Sequence, residues 1–237
     1  MQITTILFDL DGTLTDPKLG ITRCIQHALA ELGQQPPDSD DLQWCIGPPL
    51  RRSFSHLLDS EDEQLLEQAV TLYRQRFSTV GLFENRVYPG IPETLATLQG
   101  RDYRLFLATA KPRIFAEQIL DHFSLVQYFE TAHGSELNGH LTDKPSLVRH
   151  ILATEDLKPE QTMIIGDRKY DIVGGKVNGL ATGAVTYGFG TMEELHVEGP
   201  GAVFTSPEQI LLHPFANNER SIWDRSTGGA GCVMISC

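Results

Sequence analysis

Positive charge is scarce in this 237-residue chain: 19 Lys and Arg stand against 31 Asp and Glu, a formal net charge of −12. A surface of that sign repels a phosphate backbone, and no basic cluster interleaved with aromatics offsets it, so no nucleic-acid polymer is expected as a partner. Small anions are repelled too, so activity on them requires local positive charge from a metal, a lysine or a helix N-terminus. Also missing is any apolar run near the roughly 18–20 residues that cross a bilayer, and no membrane association is expected. The four cysteines, Cys24, Cys45, Cys232 and Cys237, form no CxxC or Cys/His pattern, which argues against disulfides and zinc. Cys237 does not stand fourth from the end, as prenylation requires. The opening MQITTILFDL lacks the basic start, long apolar middle and cleavage site of a secretory signal, so a cytoplasmic location is expected.

What the chain does have is an ordinary globular composition, 41% hydrophobic and 21% charged, and a change of hydrophobic period along its length. Ile3 to Phe8 is β-branched and apolar, a buried strand. Ile21, Cys24, Ile25, Ala28, Leu29 and Leu32 recur at helical spacing up to Gly33, and after a break at Gln34 to Asp41 a second helical pattern runs through Leu65, Leu66, Ala69, Tyr73 and Phe77. Pro17 to about Arg86 therefore reads as all-helical.

From Tyr88 onward strands and helices alternate. Helices are expected over Ile91 to Leu98, Pro112 to His122, around Leu147 to Leu152, Arg168 to Asn178 and Pro207 to Leu212. Strands are expected over Tyr103 to Ala108, Thr162 to Ile165, Ala181 to Thr186 and Ala202 to Phe204. Nearly continuous apolar strands separated by helices predict an α/β fold with a parallel sheet covered on both faces, interrupted after its first strand by a helical insertion. The Gly-rich tail is expected to be disordered.

In such a sheet ligands sit beyond the carboxyl ends of the strands. Asp9 and Asp11 follow the first strand in FDLDGTLTD, Thr109 follows YRLFLA, Lys144 opens the Leu147 helix, and Asp167 and Asp171 follow TMII in GDRKYD. Carboxylates converging there repel one another unless a cation lies between them, and Mg2+, an oxygen-seeking ion that keeps waters and shares substrate phosphate, suits the inventory. Asp9 is then a candidate nucleophile toward phosphorus, Asp11 a general acid/base, Lys144 a positive charge and Thr109 a hydroxyl donor for phosphoryl oxygens.

DLDGTLTD, ATAKP, the lysine of DKPSL and GDRKYD, in that order, resemble the four motifs of the haloacid dehalogenase-like hydrolase superfamily over residues 3 to about 212. The resemblance implies a Rossmann-like core at 1–16 and 87–214, an all-helical C1-type cap at 17–86 that closes over the site, and a tail at 215–237. It implies Asp9 as nucleophile and metal ligand, Asp11 as acid/base and backbone-carbonyl ligand, Thr109 and Lys144 as phosphate contacts, Asp167 as metal ligand, and Asp171 as a metal-site or supporting carboxylate. The segments GITRCIQHAL, WCIGPPLRRSF and GDRKYDIVGGKVNG are most similar to the phosphoglycolate phosphatase and 5′-nucleotidase-like branch. The motif departs at Ala110, where many relatives carry asparagine or serine.

The function expected is therefore a Mg2+-dependent phosphatase acting on a small phosphorylated metabolite through an aspartyl-phosphate. A sugar phosphomutase is the alternative, and a non-catalytic binding protein on the same scaffold the remote one. Asp11 argues against a dehalogenase, which has no need of an acid two residues after its nucleophile. Arg51 and Arg52 after GPPL are candidate contacts for a second anionic group, with Arg23 at the entrance. Phe54, Trp44 and Tyr187 are candidates to stack on a base, against the plainer reading of core packing.

Overall fold

The computed structural model describes residues 2–215; Cys232, Cys237 and all but the first residue of the expected tail lie outside the described residues. The chain runs β1 (Thr5–Phe8), β2 (Thr15–Asp16), α1 (Lys18–Glu31), a 3-10 segment (Ser39–Cys45), α2 (Leu50–Leu58), α3 (Glu63–Arg76), a π-helical turn (Phe77–Gly81) and β3 (Arg86–Val87). It continues through α4 (Ile91–Gly100), β4 (Arg104–Pro112), α5 (Arg113–His122), β5 (Thr131–Ser135), α6 (Lys144–Thr154), β6 (Thr162–Gly166), α7 (Lys169–Val177), β7 (Ala181–Val185), α8 (Met192–Glu198), β8 (Ala202–Phe204) and α9 (Pro207–Ile210).

Six strands form one sheet in the order β5-β4-β1-β6-β7-β8, with every neighbouring pair parallel. The first strand is thus central: Phe8 pairs with Leu107 on one side and Ile165 on the other. Its period-two geometry sends Ile6 and Phe8 to one face, into a cluster with Leu95, Leu98, Phe115 and Ile119, and Leu7 to the other, with Phe106, Leu147, Val148 and Ile151. Each such fully buried side chain is worth roughly 1.5–3 kcal/mol of transfer free energy. The first cluster continues without a break into the helical insert through Ile21, Cys24, Ile25, Phe54, Leu66, Ala69 and Tyr73. β2 and β3 pair antiparallel as a two-stranded neck to that insert, closed by an Arg86–Asp16 ion pair at 2.6 Å.

The structure departs from the sequence reading at β2, β3 and α8, which are short additions, and at three further elements. β5 was unmarked because TAHGS has no apolar run; its polar side chains are buried by pairing instead, His133 with Glu155 at 2.8 Å and Ser135 with the Ala110 carbonyl at 2.8 Å. α2 was unmarked because among its nine residues only Ser53 and Phe54 are buried. β4 runs on to Pro112 past a register shift after Thr109, four residues beyond the expected end, because it pairs with β5. Among the described residues no helix is long and apolar enough to cross a membrane.

Candidate active site

The acidic side chains converge at the carboxyl edge of the sheet because three adjacent strands end there. Asp9 leaves β1 with its N–H donating to the Ile165 carbonyl at 2.9 Å, and Asp167 leaves β6 beside it. Between them the chain turns at Gly12, whose φ is +83°. A Cβ at that position would stand 2.1 Å from Asp167 Oδ2, so both the turn and the close approach require glycine. Asp171 sits in the first turn of α7, where its carboxylate accepts from the Arg168 N–H at 3.2 Å. Carboxylate oxygens of Asp9, Asp167 and Asp171 all lie within 4.8 Å of one another.

Lys144 opens α6, whose N-cap Asp143 accepts from the Ser146 N–H at 2.9 Å. Its ammonium stands 3.1 Å from Asp9 Oδ1 and 2.7 Å from Asp171 Oδ1, and donates to the Ala108 carbonyl at 2.8 Å. Burial disfavours the Lys144 charge, but Asp171 and Asp9 outweigh it and hold the ammonium above its ordinary range. Burial, reinforced by the charges of Asp9 and Asp171, holds the Asp167 carboxyl well above the usual carboxylate range. Asp171 is pushed up to about 6 by burial, with Lys144 opposing.

One ammonium among three buried carboxylates leaves negative charge uncompensated. Asp167 Oδ2 accepts from the Phe189 N–H at 2.8 Å, whereas buried Asp167 Oδ1 has no hydrogen-bond partner. An orphaned carboxylate oxygen beside two further carboxylates is the donor set a hard divalent cation takes, so these residues fit Mg2+.

Thr109, at the end of the regular part of β4, is buried, and its Oγ1 accepts from the Lys111 N–H at 3.2 Å. At Ala110 the strand is steadied by Ser135 Oγ, which donates to the Ala110 carbonyl and anchors the backbone that an asparagine or serine here would otherwise orient. Sequence reasoning passed over Lys111, although it lies inside the quoted ATAKP. Its ammonium pairs with Asp11 Oδ2 at 2.7 Å and sits 4.7 Å from the centre of the Phe77 ring. Burial raises the Asp11 pKa and Lys111 pulls against it, with a net upward shift.

A cavity of about 530 Å³ opens above Asp9, Asp11, Thr109 and Lys111. The insert supplies its far wall: Cys45 and Gly47 to Leu50 from one segment, Val70, Tyr73 and Phe77 from α3 and the turn after it, with Phe115 of α5 opposite. The arginines and aromatics singled out from the sequence behave differently. Arg51 lines the cavity but is paired with Glu63 at 2.7 Å and Glu67 at 3.6 Å; Arg52 is exposed and does not line it, and Arg23 pairs with Glu84 at 2.7 Å elsewhere. Phe54 is buried core, Trp44 packs edge-on against His56, and Tyr187 packs on Tyr88 while donating to the Thr13 carbonyl, so none of the three faces the cavity.

Residues 6–185 match the family model described as haloacid dehalogenase-like hydrolase. A 5′-nucleotidase of Pseudomonas aeruginosa is 47% identical over 200 residues, covering 84% of this chain and 90% of that protein. A phosphoglycolate phosphatase of Colwellia psychrerythraea is 27% identical over 87% of this chain and 95% of its own. Among solved structures, a predicted phosphatase from Clostridium acetobutylicum superposes with a TM-score of 0.85 at 38% identity, covering 90% of this chain and 100% of that one.

Proposed function

The chain belongs to the haloacid dehalogenase-like hydrolase family and is a phosphatase of it, and on that premise we propose that it hydrolyses nucleoside 5′-monophosphates through a phosphorylated Asp9. An Asp9 oxygen attacks phosphorus as the ester oxygen departs, and Asp11 supplies the proton that the departing alkoxide needs. Burial keeps the Asp11 carboxyl protonated to higher pH than an exposed one, which suits it to donate. In the second half Asp11 takes a proton from water as that water attacks the phosphoaspartate, releasing phosphate and restoring Asp9. Lys144 and the Thr109 hydroxyl are the groups placed to receive the equatorial phosphoryl oxygens. Asp9, Asp167 and Asp171, with the Asp11 carbonyl, would hold Mg2+, which when bound neutralises carboxylate and phosphoryl charge. The helical insert, taken as a cap, excludes water from the covalent intermediate.

The observation that carries the substrate class is the aromatic part of the cavity wall. Of the cations that line it, Lys111 is matched by Asp11 and Arg51 by Glu63 and Glu67, whereas Arg74 donates to the neutral Leu137 carbonyl at 3.0 Å; Glu136 faces Arg113 at 3.8 Å. A second anionic group, such as the carboxylate of 2-phosphoglycolate, finds Arg74 as the one of these three cations without a carboxylate partner. A planar uncharged base meets Tyr73, Phe77 and Phe115 instead, in a volume ample for it. The 47% identical relative's name supports the same reading.

The test is phosphate release across nucleoside 5′-monophosphates, 2-phosphoglycolate, β-glucose 1-phosphate and an aryl phosphate, with Mg2+ and with chelator. Nucleoside monophosphates are expected to exceed 2-phosphoglycolate by about tenfold or more in kcat/KM, roughly the 1.4 kcal/mol of one well-placed contact. Preference for 2-phosphoglycolate would reverse the substrate assignment, and conversion of β-glucose 1-phosphate to the 6-phosphate would identify a mutase.

A further inference from the structure

Arg168 follows Asp167 in the chain, yet its side chain turns away from the carboxylates. It is buried, with 8% of its surface exposed. Nε donates to Glu194 Oε1 at 2.9 Å and Nη2 to Glu194 Oε2 at 3.3 Å, so one carboxylate holds one edge of the guanidinium. Glu194 is itself fixed in the first turn of α8, where its N–H donates to Thr191 Oγ1 at 3.0 Å and its Oε1 accepts the Lys169 N–H at 2.7 Å. All of these groups belong to the α/β part of the molecule. The remaining edge crosses to the helical insert, where Nη1 donates to the Ile46 carbonyl.

Ile46 caps the 3-10 segment and precedes Gly47, Pro48 and Pro49, which wall the cavity. Gly47 has φ +103°, and a Cβ there would lie 3.1 Å from Arg168 Cγ, so this wall rests on the arginine's aliphatic stem as well as on its donor. On the opposite side of the cavity the Arg74–Leu137 bond also joins insert to core, but in solvent, where such a bond contributes little. The buried fork is a different device. Its orientation is set by core groups alone, so the donor is aimed before the wall arrives.

We propose that Arg168 is a positioning residue for the phosphatase: a latch, prealigned by Glu194, that seats the 45–49 wall of the cavity and thereby sets how tightly the leaving group is held. It touches neither substrate nor metal. Lysine keeps the charge opposite Glu194 but is a single point, and cannot hold that carboxylate and the Ile46 carbonyl in the fixed geometry of a fork.

The experiment is amide hydrogen exchange on the full chain for Arg168→Lys, Arg168→Met and Glu194→Gln, alongside steady-state kinetics with a nucleoside 5′-monophosphate. Exchange in peptides covering 44–52 is expected to rise about tenfold in both Arg168 variants and less in Glu194→Gln, with peptides covering β1 and β6 unchanged. KM is expected to rise about tenfold while kcat changes less than about twofold. Parent-like exchange at 44–52 in Arg168→Lys would show that charge rather than the fork matters and would overturn the proposal. So would a fall in kcat with KM unmoved. If Arg168→Met does not fold, the lysine and glutamine variants still decide. The kinetic arm rests on the nucleotide reading and the exchange arm does not, so a wrong substrate and a wrong latch are distinguishable.

Discussion

At the carboxyl edge of the sheet, Asp9, Thr109 and Asp167 stand at the ends of three adjacent strands, each buried, and Asp9 and Thr109, held by main-chain pairing with neighbouring strands, form part of the cavity floor. Over it, the 45–50 segment and the end of α3 belong to an insert that meets the floor through side-chain contacts: Arg168 to Ile46, Arg74 to Leu137 and Lys111 against Phe77. The floor collects charges that repel one another and restrains them with the sheet. The far wall carries apolar rings on helices of the insert, joined to the floor by side-chain packing. The difference teaches that, on the proposed reading, the reaction belongs to strand ends and the choice of substrate to the way two segments distant in sequence meet.

Changes to the floor are therefore expected to act on turnover, and changes to the wall on KM. Asp9→Asn is expected to reduce kcat by about 10⁴-fold or more, with an unchanged circular dichroism spectrum. Asp11→Asn is expected to cost ~10²–10⁴ in kcat, with stopped-flow traces showing loss of both half-reactions. Lys144→Met should lower kcat by about 10²–10³. Because Lys144 is the only ammonium contacting both Asp9 and Asp171 among the described residues, a loss confined to KM would mean that it belongs with the wall. Phe115→Ala is expected to raise KM for a nucleoside monophosphate by about tenfold, the loss of one aromatic contact, while leaving an aryl-free substrate such as glycerol phosphate within about twofold.

The smallest effect is on stability. A carboxyl whose folded pKa is raised contributes stability that is complete below its ordinary value of 3.8 and is lost as pH rises through its folded value, about 6 for Asp171. Metal-free protein thus carries the full penalty at pH 7.5 and only part of it at pH 5. Added Mg2+ is expected to raise Tm more at the higher pH, and equal shifts at both would separate the acids from the metal.

The floor was legible because its signals are local: an apolar strand, then an acid, with Gly12 permitting the turn. Lys111 lay within a recognised motif, yet nothing in ATAKP says that its ammonium reaches back to Asp11; that depends on β4 lying beside β1. The insert's helices were read as a region, and Tyr73 and Phe77 were placed on an apolar helical stripe. Such a stripe does not announce that one end lines a cavity, because that depends on docking against α5. Phe54, Trp44 and Tyr187 failed as base contacts for the same reason. β5 escaped notice because hydrogen bonds, not apolar side chains, bury it.

The central position of β1 also governs how the molecule is made. The strand that bears Asp9 leaves the ribosome before both of its partners, which begin at Arg104 and Thr162. The insert, whose contacts are nearer in sequence, can consolidate while β1 waits unpaired, an apolar segment open to wrong associations. Assembly of the sheet is thus a late event in synthesis, and a chain stopped before β6 would carry Asp9 on a strand with one edge bare.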